Sequence, residues 1–201
     1  MKRVALAIGL AALFTGCALL EQFRQLSAFT RCEFRLVSVE NQTLAGIRIA
    51  GKRSPRDFGL RDAARFGTAV AGGALPLAFT LNVEVRNPNA GAAAMNRMAW
   101  ILLIDDIEMT RGEVEARVEV PPNGTAPLPL AMEVDLRQVM TGQSLDAMVN
   151  LAFNVAGEGT RPTRVSLRVR PSIMVAGQSM DFPDYITVTA EYGGGGASPV
   201  R

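Results

Sequence analysis

From residue 79 to 86 hydrophobic and polar side chains alternate strictly: Phe79, Leu81, Val83 and Val85 are separated by Thr80, Asn82, Glu84 and Arg86. A period of two puts one set on a buried face and the other in water, which predicts a half-buried strand. The same period recurs at Leu128, Leu130, Met132 and Val134, and again at Val165, Leu167 and Val169. Other extended segments are predicted at Phe34, Leu36 and Val37 to Val39, at Ala45 to Ile49, at Met95 to Ile104 around Trp100, at Ile107 to Met109, at Val114 to Val120, and at Met180 to Ala190. Turn chemistry separates them: Asn41-Gln42-Thr43, Asn87-Pro88-Asn89, Asp105-Asp106, a bend at Arg111-Gly112, and Pro121-Pro122-Asn123-Gly124.

Two segments switch to helical spacing. Phe58, Ala63, Ala64, Phe66 and Val70 predict a short helix within 57–71, stopped by Gly72-Gly73. Leu136, Val139, Met140, Leu145, Met148, Val149 and Ala152 predict a second, interrupted or capped near Thr141-Gly142. So little helix cannot cover a parallel sheet. The expected fold is therefore mainly β, an antiparallel sandwich with one or two short helices.

The first residues follow a different logic. Met1-Lys2-Arg3 precedes an apolar run from Val4 to Leu13, which is too short for a spanning helix of about 20 residues. It reads as a signal peptide over 1–16. The sequence Thr15-Gly16-Cys17 resembles the bacterial lipobox, with Phe14 a less usual residue at its first position. That resemblance implies a lipid on Cys17 and a membrane-tethered chain, and Ala18, where inner-membrane retention uses aspartate, implies the outer membrane facing the periplasm. Residues 17–32 are expected to be a lipidated tether, with Leu19, Leu20, Phe23 and Leu26 able to form a brief amphipathic turn. Residues 33–191 are expected to be the domain and 192–201 a disordered tail around Gly193 to Gly196.

Charge and composition narrow the chemistry. Removing Lys2 and Arg3 with the signal leaves a formally neutral chain, so no general field favours nucleic acid. The chain has no histidine, which removes the His-dependent nucleophile arrangements and imidazole metal sites. Of two cysteines one is Cys17, so Cys32 has no intramolecular disulfide partner; it is either buried beside Phe34 or paired between chains.

The strand from Phe79 to Arg86 running into Asn87-Pro88-Asn89, the Trp100 strand, the Arg111-Gly112 position and Pro121 to Asp135 together resemble the late embryogenesis abundant (LEA) type 2 family. Its domain is also called the water stress and hypersensitive response domain. The leading strand from Leu36 to Glu40 is similar to that of bacterial lipoprotein members. The resemblance covers residues 33 to 190 and implies an immunoglobulin- or fibronectin III-like β-sandwich with a role in desiccation or other stress; it does not imply an enzyme, and neither catalysis nor a cofactor is expected. It makes Asn87, Pro88 and Asn89 a structural turn motif. With 48% hydrophobic residues the chain is expected to fold, unlike the hydrophilic LEA groups.

Several residues admit a chemical reading. Asp105-Asp106 with Glu108, and Asp181 with Asp184, are either carboxylate clusters or turn residues; adjacent strand positions point to opposite faces, which favours the turn. Asn41-Gln42-Thr43 and Asn123-Gly124-Thr125 match a glycosylation pattern but read as turns. The methionines either fill the core or line an adaptable groove. Two functions fit: a non-catalytic domain binding protein or membrane components at the envelope, or a carrier holding a lipid or other apolar ligand.

Overall fold

The computed structural model describes residues 20–52, 55–143, 145–159, 163–175, 178–192 and 198–199. Two antiparallel sheets face each other. The first has the order β2-β1-β3-β8, where β1 is Glu33–Leu44, β2 Ile47–Arg48, β3 Pro76–Arg86 and β8 Thr125–Asp135. The second has β5 (Arg97–Ile104), β6 (Ile107–Val114), β9 (Thr163–Val175), β11 (Ile186–Tyr192) and β12 (Ser198–Pro199) in the order β12-β11-β9-β5-β6, with β10 (Gln178–Asp181) also paired to β9. A short ribbon joins β4 (Ala93–Met95) to β7 (Val118–Val120).

The alternation read from β3 is the alternation observed. Leu77, Phe79, Leu81, Val83 and Val85 are buried, and each contributes about 1.5–3 kcal/mol relative to an exposed position. β8 pairs with β3 along its whole length and buries Leu128, Leu130, Met132 and Val134. From the facing sheet come Met98, Trp100, Leu102 and Ile104 of β5 and Val165, Leu167 and Val169 of β9. Arg164, Arg168 and Arg170 take the opposite face of β9, so this arginine-rich stretch is a solvated strand face.

β8 is the edge of its sheet. Pro127 and Pro129 lie opposite Glu84 and Asn82 and carry no N–H. They therefore occupy positions whose hydrogen-bonding groups point away from β3, towards the open side.

Helices close the ends. Asp135 caps α3 (Leu136–Val139): its Oδ1 accepts from Arg137 N at 3.0 Å and from Leu75 N at 2.9 Å. Gly142, at φ +80°, breaks the helical run before α4 (Leu145–Val155), as the spacing predicted. α4 buries Met148, Val149, Leu151, Ala152, Phe153 and Val155. α2 (Leu60–Ala71) ends at Gly72 and packs Phe66 towards Phe58, which in turn meets Phe153.

Five local expectations are corrected. The segment expected as a tether is helical over 20–29, here α1, with Leu26 and Phe29 buried in the core. Asn41-Gln42-Thr43 is a bulge within β1, with Asn41 at φ +54°; the hairpin turns one step later at Ala45-Gly46, φ +51° and +72°. Arg111-Gly112 lies inside β6, where Gly112 is opposite Trp100. The last predicted strand is two, β10 and β11, because Pro183 cannot donate to a ladder. Gly193 to Gly196 lies outside the described residues, while Ser198–Pro199, expected in the disordered tail, pairs with Glu191 and Ala190.

Candidate functional site

The end of the sandwich where β1 starts and β3 stops gathers α1, the Asn-Pro-Asn segment and the proline-rich turn. Asn87 is fully buried. Its Nδ2 donates to the carbonyls of Gly91 at 2.9 Å, Val120 at 3.1 Å and Pro121 at 3.1 Å, and its backbone N–H donates to Gly124 O at 2.8 Å. Its Oδ1 accepts from Asn89 N at 2.9 Å and Asn89 Nδ2 at 2.7 Å. Asn89 Nδ2 also donates to Ala28 O, 3.0 Å away at the end of α1. Pro88 lets the chain leave the ladder without stranding a donor. One buried amide thus ties the end of β3 to the 121–124 turn, and Asn89 extends the tie to α1.

Asn89 is not in the left-handed region; the residue that adopts it here is Asn123, at φ +54°. Asn123 N donates to Asn89 O at 3.1 Å, and Gly124 N closes the turn onto Pro121 O at 3.1 Å.

The outer face of α1 carries Leu20, Phe23, Arg24 and Ser27, spaced three and four residues apart, while Leu26 and Phe29 face inward. Leu20 is 65% exposed and Phe23 37%. With Ala28, Arg31, Asn89, Gly91 and Ala92 this face borders an open groove of about 400 Å³. Arg24 meets Glu21 at 3.4 Å, and Arg31 donates to Ser27 Oγ at 3.1 Å. The groove was missed because Leu20, Phe23 and Leu26 were read as a turn; Phe29, three residues after Leu26, is the sequence signal for a docked helix.

Cys32 is buried and free. Burial, and secondarily the charge of Glu33, push its thiol from about 9.0 up to about 11, so it is protonated at neutral pH and a poor nucleophile. Cys17 lies outside the described residues.

The acidic candidates are spread apart. Asp105 and Asp106 form the β5–β6 turn at φ +49° and +66°; Asp105 Oδ1 accepts from Arg164 N at 2.9 Å, and Asp106 meets the Arg164 guanidinium at 3.1 Å. Glu108 pairs with Arg111, and Asp181 with Arg170 at 3.2 Å. Asp184 is exposed in the loop after β10. Among the described residues no three Cys, Asp or Glu side chains come together as a metal site. Asn41 and Asn123 both sit at bends with positive φ. Met95, Met98, Met109, Met132 and Met148 belong to the buried core. Among the described residues no helix is long and apolar enough to cross a membrane.

The molecule is thus a two-sheet antiparallel β domain with its polar order concentrated at one end. The family model described as Late embryogenesis abundant protein (LEA_2) matches residues 82–183, and the chain belongs to that family. No curated protein matches the sequence. It is similar to a crystal structure of a protein from Archaeoglobus fulgidus, 11% identical over 63% of this chain and 86% of that one, TM-score 0.34. It is also similar to a solution structure from Arabidopsis thaliana, 12% identical over 62% of this chain and 70% of that one, TM-score 0.37. A solution structure of a protein named as late embryogenesis abundant is 12% identical over 99% of this chain and 88% of that one, TM-score 0.35.

Proposed function

We propose that this chain is a lipid-anchored LEA type 2 protein of the bacterial envelope, of the water stress and hypersensitive response kind. In this reading it is held in the outer membrane through Cys17 and faces the periplasm. Its domain is non-catalytic and acts in desiccation or related stress by binding protein or membrane components. The observation that carries the anchor is Thr15-Gly16-Cys17 at the end of a short apolar signal; family membership supports the stress role. Methionines packed in the core favour a binding surface over a carrier cavity. The test is Cys17→Ser in the native host. It is expected to abolish labelling by a fatty-acid analogue and to release the protein into the soluble periplasmic fraction. A variant that still labels and sediments removes the anchor, and undiminished survival of a deletion strain after drying removes the stress role.

A further inference from the structure

We infer that α1 is a membrane seat that fixes the domain upright on a phospholipid surface, with the Asn-Pro-Asn end against the bilayer and the α2 end facing away. The inference rests on the lipid anchor proposed above. Only three Cα–Cα steps separate Cys17 from Leu20, so Leu20, the first described residue of the helix, lies within about 11 Å of an acylated cysteine. That is comparable to the depth of one headgroup layer, roughly 5–8 Å. The anchor therefore holds the Leu20 end of α1 within a few ångströms of the headgroup layer.

α1 is also not a free peptide that could lie flat while the domain tumbles. Leu26 and Phe29 are in the core and Ala28 O accepts from Asn89. Whatever orientation the lipid gives the helix, it gives the sandwich. The face left over suits the interface: Leu20 and Phe23 are exposed apolar groups, while Arg24 and Arg31 border the same groove. Apolar side chains seated about 5–10 Å deep, with arginines reaching lipid phosphates, are the chemistry of a helix lying at a bilayer surface. Leu60, 91% exposed at the start of α2, belongs to the other end, where Arg65 meets Gly46 O in the β1–β2 turn.

The experiment uses the full chain, purified in detergent and reconstituted into phosphatidylethanolamine–phosphatidylglycerol vesicles with or without brominated acyl chains. Phe23→Trp is expected to lose at least half of its added fluorescence to brominated lipid. The parent, whose sole tryptophan Trp100 is buried, and Leu60→Trp are expected to keep theirs. An acylated Phe23→Trp protein that floats with vesicles but is not quenched overturns the seat and leaves the anchor; quenching of Leu60→Trp to the same degree overturns the orientation. Intact mass reports the acyl chain separately. An unacylated chain quenched at position 23 keeps the seat without the anchor, and an unquenched one removes both.

Discussion

Gly112 lies directly opposite Trp100 in the β5–β6 ladder, and a Cβ built on it would come within 2.4 Å of Trp100 Cζ2 and 2.8 Å of Cε2. The indole is buried across the strand from the glycine, in space that any other residue would fill. Gly112→Ala is expected to destabilise the fold by about 1–3 kcal/mol, the usual cost of overpacking, measured by urea unfolding. Trp100→Leu relieves the clash, so the double variant is expected to lose less than the sum of the two single losses. Strict additivity would disprove the contact.

Asn87 offers a second test. Asn87→Asp keeps the shape but replaces the donor with an acceptor, leaving the carbonyls of Gly91, Val120 and Pro121 without it. The Val120 carbonyl is the buried one of the three, and a stranded buried acceptor costs about 1–3 kcal/mol, so the melting temperature is expected to fall. Asn89→Ala breaks the bond to Ala28 O. Its expected signature is faster amide exchange in α1 with β3 protection retained, read by hydrogen-exchange mass spectrometry.

Cys32 predicts a pH dependence of definite sign. Its thiol is held near 11 in the folded chain against an ordinary value near 9.0, chiefly by burial. Below about pH 9 both states keep the proton and the residue adds no slope. Above it the unfolded chain loses the proton first, so stability falls as pH rises towards 11, by on the order of 2 kcal/mol. The difference in urea stability between parent and Cys32→Ala is expected to shrink over that interval. A difference constant from pH 8 to 11 contradicts the assignment.

Ala45 sets opposing contributions against each other. It sits at φ +51° in the first position of the β1–β2 turn, where an L side chain costs roughly 1–2 kcal/mol and glycine does not. Glycine loses part of that advantage through the entropy of the unfolded chain. Ala45 is also buried, and loss of its methyl costs about 0.8 kcal/mol, so Ala45→Gly is expected to leave the melting temperature close to that of the parent.

These positions also mark what could be read from the sequence. β3 and β8 were legible because a side-chain period of two is a local property of a half-buried strand, and α3 with α4 because their breaker, Gly142, sits between two apolar stripes. Gly112 was misread as a bend because a glycine needed by a turn and one needed by a distant indole look the same in one dimension. The β1 bulge reads as a turn in the sequence because Asn41 is left-handed in either case. At the site, Asn-Pro-Asn was legible as a strand stop. Its reach to Ala28, 61 residues back along the chain, was not. α1 is hard to read in the sequence because its stripe is short and lies close behind the apolar run from Val4 to Leu13.

Pro127 and Pro129 on the edge of β8 bear on what happens when water is withdrawn. Evaporation brings protein molecules into contact at concentrations where bare sheet borders zip together into cross-molecular ribbons. A foreign strand approaching β8 finds two donors missing at alternate positions, so it cannot form a continuous set of bonds there. On this side a crowded copy therefore meets an interrupted border and not a template for a continuous ladder.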